Sequence, residues 1–243
     1  MEKIRNEFLA QCAKLREVDS GHAMVRAILL SQTSAIVNFI EKLPPRMELG
    51  GVHIEQKAMA EGFLAYLDTS DIYLELIHSS AVQSWHSFLD DLFSWALRAH
   101  MAGEIEFSKP KQQLSIRVKF PEDRTVADFE KRICETFSFL GHREKFKFLR
   151  DMLEVNFQSS DKQNLLKIIQ KQIDIRNILQ HSEGIVREED TKHYPQGIEV
   201  VDESKGQIVY YHAGDRIKLT KLELSIALAS FERVAKLLTS KNS

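Results

Sequence analysis

Leu165-Leu166-Lys167-Ile168-Ile169-Gln170-Lys171-Gln172-Ile173-Asp174-Ile175-Arg176-Asn177-Ile178-Leu179-Gln180-His181-Ser182-Glu183-Gly184 is the stretch on which the fold reading turns. Its apolar residues recur at spacings of three and four, the period of a helix with one buried face. Leu165, Leu166, Ile169 and Ile173 share one arc, flanked by Ile168, Ile175 and Leu179. Ser159-Ser160-Asp161 supplies opening residues, and Gly184 stands where such a helix stops. At ~100° per residue, Arg176 projects into the middle of the apolar arc, within roughly 20° of Leu165. Asp174, Asn177 and His181 gather at the polar edge, three and four residues apart.

A guanidinium aimed at a core cannot shed its charge, so it must snorkel, pair with a carboxylate or face a solvated cleft. Two readings follow. In one, Arg176 forms a buried ion pair, and His181 satisfies last-turn carbonyls and the helix dipole. In the other, the arginine, the amide and the imidazole form a working cluster. These are the groups that metal-free chemistry on a phosphodiester needs. The bare spacing of Arg to His decides nothing. It occurs four times in this chain: Arg16 to His22, Arg46 to His53, Arg176 to His181 and Arg187 to His193. Only the third lies on a long helical pattern.

Working outward, residues 3–43 read as two helices parted by Asp19-Ser20-Gly21 and ended by Pro44-Pro45. A Gly50-Gly51 turn leads to helical spacing over 54–67. A stronger pattern over 70–100 carries Ile72, Leu76, Val82, Trp85, Leu89, Leu92, Phe93 and Ala96. Residues 104–107 and 114–120 alternate as strands do. Helices are expected from Val126 to Phe139 and from Arg143 to Val155, followed by the helix quoted above. Gly197–Val201 and Gln207–Tyr211 flank Asp202–Gly206 as a hairpin, and Thr220 caps a closing helix to Thr239. The expected class is mainly α, a helical bundle with short β-hairpin insertions. The stretch from Pro44 to Gly51 is the best candidate boundary.

Composition narrows the function classes. The 243 residues are 43% hydrophobic and 28% charged, as in soluble globular proteins, with a net charge of −2. No global basic field recruits nucleic acid, so an RNA contact has to be local. Cys12 and Cys134 fit no metal or redox spacing and suggest a reducing compartment. The charged N-terminus lacks a signal-peptide pattern, and the reading is a soluble, cytoplasmic protein without a membrane partner. His78, His86 and His100 lack the i, i+4 spacing of a helical zinc pair, and the glycines form no phosphate loop. No metal or cofactor is expected. Trp85, Phe88, Phe93 and Trp95 read as core. Lys109, Lys111, Arg117 and Lys119 make a mildly basic hairpin.

Ile175-Arg176-Asn177-x-x-x-His181, followed by Gly184-Ile185-Val186, resembles the Arg-Asn-x-x-x-His signature of the HEPN superfamily. The order of elements is also similar: upstream helices, the motif helix, then a closing helix. The resemblance covers about residues 70 to 240, leaving 1–69 as an N-terminal helical extension to a HEPN-like domain at 70–243.

The resemblance implies an α-helical bundle that dimerises, placing two copies of the motif across a shared cleft. It further implies a metal-independent endoribonuclease acting on RNA, of a kind often found as a toxin or antiviral defence effector. Arg176, Asn177 and His181 would then be the catalytic residues, and an antitoxin or regulatory protein a further partner. Other HEPN proteins are inactive dimerisation or binding modules, which is the alternative reading. Some toxin members carry a tyrosine two residues after the histidine, where this chain has Glu183.

Overall fold

Helix α4 (Ser70–Met101) is the axis around which the chain packs. The computed structural model describes residues 1–49, 52–68, 70–106, 114, 125–202 and 206–240. Leu74, Ile77, Ala81, Val82, Trp85, Phe88, Leu89, Leu92, Phe93 and Ala96 of α4 are all buried. Their spacing presents apolar surface around much of the helix, as a central helix requires. It touches α1 (Glu2–Ser31), α3 (Gln56–Asp68), α5 (Val126–Ser138), α6 (His142–Met152), α7 (Ser160–His181) and α8 (Lys221–Thr239). The remaining elements are α2 (Thr33–Ile40) and two antiparallel hairpins. Strands β1 (Arg46–Leu49) and β2 (Val52–Glu55) form one, and β3 (Ile198–Asp202) and β4 (Gln207–Tyr211) the other. The protein is mainly α, as its periodicity implies.

The core is aromatic at both ends. Phe93 stacks on Phe137 of α5 at a centroid separation of 3.9 Å, and Trp85 stacks on Phe231 of α8 at 5.3 Å. Each fully buried side chain of this size contributes roughly 1.5–3 kcal/mol through removal from water. Phe8 and Cys12 of α1 join the same core, with Phe8 against Trp85 and Phe88. The segment expected as an extension thus shares its core with the rest of the chain. Burial raises the Cys12 thiol to about 12, and both cysteines are free. Among the described residues, no single helix is long and apolar enough to cross a membrane.

Several expectations are met in detail. The closing helix starts at Thr220, whose hydroxyl accepts from the Glu223 amide at 3.1 Å. Helix α5 is opened by a reciprocal cap between Thr125 and Asp128. The β3–β4 hairpin pairs Ile198 with Tyr211 and Asp202 with Gln207.

The break expected at Asp19-Ser20-Gly21 does not exist, because α1 runs through it to Ser31. A glycine inside a helix costs only ~1 kcal/mol, and the packing of α1 on α4 and α8 offsets it. The real break is at Gln32. There Ser31 Oγ donates to the Ile28 carbonyl, Thr33 Oγ1 donates to those of Leu29 and Leu30, and the chain bends by 65°. The chain around Pro44–Gly51 carries strands that the sequence reading did not assign. Gly50-Gly51, the basic residues Lys109, Lys111, Arg117 and Lys119, and most of the 104–120 alternation lie outside the described residues.

One buried polar network ties the bundle to the second hairpin. Glu223 of α8 is fully buried and accepts from Lys171 Nζ at 2.8 Å and Gln172 Nε2 at 2.5 Å, both on α7. Its second oxygen accepts from the Val201 amide of β3 at 3.1 Å. Lys171 also donates to the Glu199 carbonyl at 3.0 Å. Removing one partner of such a pair leaves an uncompensated buried charge. Glu223→Ala should therefore lower stability by about 3–5 kcal/mol in urea denaturation. The double variant Lys171→Met/Glu223→Leu should recover most of that loss, which a double-mutant cycle reads directly.

Candidate functional site

The end of α7 is set by backbone geometry. Glu183 and Gly184 both adopt positive φ, 53° and 79°. The Ser182 and Gly184 amides both donate to the Ile178 carbonyl, at 3.0 and 3.1 Å. The chain then runs beside residues 214–217, where Val186 N donates to Asp215 O and Ile217 N to Gly184 O. Gly184 meets only ordinary contacts at its would-be Cβ, so its backbone conformation is what favours glycine there.

Arg176 is half-buried, with its Nε enclosed and without a hydrogen-bond partner. Among the described residues, its one hydrogen bond runs from Nη1 to Asn177 Oδ1, at 3.1 Å. No carboxylate among the described residues pairs with it, so the buried ion pair expected in the first of the two readings is not formed there. His181 is exposed, and its imidazole takes no hydrogen bond among the described residues. The capping role expected of it in that first reading belongs to Arg187, whose Nη2 donates to the His181 carbonyl at 3.0 Å. Within one chain, Arg176 and Asn177 are joined, while His181 lies one turn further on without a bond to either. Asp174, placed with them on the helical wheel, is engaged elsewhere. It accepts from Gln170 Nε2 at 2.8 Å and from Tyr194 Oη at 2.7 Å.

Arg176 faces histidines that the sequence gave no reason to group with it. Its charge helps to depress both His78 and His86 of α4. Burial is the main cause in each case, and Lys145 acts on His86 more strongly than Arg176 does. His78 is fully buried and its pKa falls to about 4. Gln172 gives its amide N–H groups to Glu223, so its oxygen accepts from His78 Nε2 at 2.8 Å, and His78 is the neutral Nε2–H tautomer. His142, the first residue of α6, is lowered to about 3 by burial, His86 and two neighbouring cations. Its ring meets that of His86 edge to face at 5.7 Å. Among the described residues, no three His, Cys, Asp or Glu side chains converge as metal ligands would.

A second feature lies on the opposite side of α7. A cleft of about 500 Å³ opens between α6, α7, the 3-10 turn at Asp190–His193 and the β3–β4 hairpin. Arg143, Lys167, His193, Tyr194 and Tyr210 line it. His193 belongs to one of the chance Arg-to-His spacings. Here it accepts from Arg143 Nη1 at 3.4 Å, not from Arg187. Burial and the bond to Asp174 raise the Tyr194 hydroxyl far above its ordinary value, so it stays protonated as a donor.

Comparison with known proteins places no relative beside this chain: no family model, no curated protein and no solved structure matches it.

Two variants check this electrostatic picture. Arg176→Met should leave thermal stability within ~0.5 kcal/mol of wild type or raise it, because it removes an unpaired, half-buried cation. The same variant should raise the His86 pKa in an NMR titration, and a loss of several kcal/mol would mark Arg176 as structural. His142 binds fewer protons folded than unfolded. Its contribution is complete above its ordinary 6.5 and is lost as pH falls toward about 3. His142→Phe should flatten the fall in stability between pH 7 and 5 by on the order of 2 kcal/mol.

Proposed function

We propose that the protein is a metal-independent endoribonuclease of the HEPN type, working in the cytoplasm as a homodimer. Arg176, Asn177 and His181 would act at a cleft shared by two copies. The observation that carries this reading is the state of Arg176. A half-buried guanidinium with an unpartnered Nε, held by an amide and matched to no carboxylate among the described residues, is completed by an anion. A phosphodiester supplies that anion with the fork geometry a guanidinium prefers.

The chemistry follows from the side chains. An imidazole takes the proton of the 2′-OH, and that oxygen attacks phosphorus in line with the 5′-oxygen. The P–O5′ bond breaks and a second imidazole protonates the departing oxygen, leaving a 2′,3′-cyclic phosphate. Arg176 stabilises the negative charge that builds on the phosphorane, and Asn177 orients its guanidinium. One His181 per chain gives the two proton-transfer groups only when two chains meet. The exposure of His181, whose imidazole takes no hydrogen bond among the described residues, fits that requirement. The resemblance to HEPN proteins extends the reading to a toxin or antiviral effector restrained by an antitoxin or regulatory protein.

A second reading, an inactive HEPN-like dimerisation or binding module, is favoured by one observation. No hydrogen bond joins His181 to Arg176 within the chain. Incubation of labelled RNAs in EDTA separates the two. The endoribonuclease should leave cyclic-phosphate ends, lose at least ~100-fold of its rate in His181→Ala and in Arg176→Gln, and lose specific activity on dilution as dimers part. Intact RNA across varied substrates selects the module, and unchanged cleavage by His181→Ala overturns the site.

A further inference from the structure

The cleft on the far side of α7 has a composition that the proposed reaction leaves unused. Arg143 Nε donates to Gln170 Oε1 at 3.0 Å and its Nη1 to His193 Nε2 at 3.4 Å, both uncharged acceptors. Lys167 has no ion-pair partner among the described residues. Lys171, by contrast, is already neutralised by Glu223 and sits near Glu199, at 2.8 and 3.8 Å. Lys171 thus faces two carboxylates, and with Arg143 and Lys167 added the cations at the cleft exceed Glu199 and Glu223 by one positive charge. A concave site with one positive charge in excess, on a net-negative chain, offers an anion a local field.

The walls also select the rest of the ligand. Tyr210 is 40% exposed and presents an aromatic ring to the cleft beside Tyr194. Tyr194 is fixed by its bond to Asp174, and Asp174 by Gln170, which in turn accepts from Arg143. Arg143 and Tyr194 are thus held by one hydrogen-bonded chain, a pre-organised arrangement. The cleft depends on Gly197, where a Cβ would sit 2.9 Å from the Tyr211 carbonyl at a φ of 93°. A volume of about 500 Å³ suits a ligand of nucleotide size.

We infer that this cleft binds a nucleoside phosphate, with its phosphate on Arg143 and Lys167 and its base against the Tyr194–Tyr210 wall. The ligand is either a free nucleotide or one nucleotide of a single-stranded RNA, which present the same chemistry. The inference involves none of Arg176, Asn177 and His181 and holds whether or not the protein cleaves RNA.

Calorimetric titration of the full chain with AMP, GMP, CMP and UMP tests it, beside inorganic phosphate, adenosine and a ten-nucleotide RNA. At least one monophosphate or the RNA should bind more tightly than inorganic phosphate and adenosine. Arg143→Gln and Lys167→Gln, both at exposed positions and checked for folding by circular dichroism, should each weaken that binding at least tenfold. Tyr210→Ala should remove the advantage over inorganic phosphate. RNA that displaces a bound monophosphate identifies the cleft as an RNA subsite. Monophosphate binding without RNA binding identifies a free nucleotide. Absence of binding by all four monophosphates and the RNA at millimolar concentration overturns the inference. So does binding that neither Arg143→Gln nor Lys167→Gln weakens.

Discussion

Glu223 is the constraint on which the arrangement of the C-terminal half depends. A carboxylate with no exposure to water survives only where its lone pairs are filled and its charge is matched. Lys171 matches the charge, and Gln172, Lys171 and the Val201 amide fill the acceptor sites. Because these donors come from α7 and β3 while Glu223 sits on α8, the network sets the rotation of all three at once. Gln172 passes the constraint on to α4 through His78. Rotating α7 by a fraction of a turn would strand at least one buried charge.

That fixed rotation gives the two faces of α7 their different characters. Gln172 and Arg176 are one turn apart, so the rotation that delivers Gln172 to His78 also brings Arg176 toward α4. Its charge is then felt by His78 and His86. Lys167, Gln170 and Asp174 come to the other side, where Gln170 meets Arg143 and Asp174 meets Tyr194. Both faces hold a cation without a carboxylate among the described residues. On the α4 side that cation, Arg176, is half-buried, whereas Arg143 and Lys167 on the other side are exposed to water.

The elements themselves were largely readable. The helix limits of α5, α7 and α8, the stop at Gly184 and the β3–β4 hairpin follow from periodicity, capping residues and turn glycines, which act over a few residues. The misplaced break in α1 shows the limit of such rules. Asp19-Ser20-Gly21 looks like a helix end, but packing against α4 and α8 outweighs a local cost of ~1 kcal/mol. Ser31 and Thr33 end the helix by a bond to the backbone that a turn-residue rule does not weigh. At the candidate site, the neighbourhood of Arg176 and Asn177 was legible, as they are adjacent in sequence. Helical spacing puts Asp174 at the same polar edge as Asn177, but its bonds go to Gln170 and to Tyr194, which lies in a segment that returns to α7 from outside it.

The sequence by itself determined a mainly helical chain, the position and ends of α7, and an arginine directed toward an apolar face. These depend on spacing within one helix. Only the tertiary structure decided that this arginine's charge acts on His78 and His86 and pairs with no described carboxylate, and that Arg187 caps the helix in place of the His181 imidazole. It also decided that Arg143, His193 and Tyr194 close a cleft with α7. Each of these pairs residues from different elements, and their charges and hydrogen bonds are matched across space, where helical spacing carries no information.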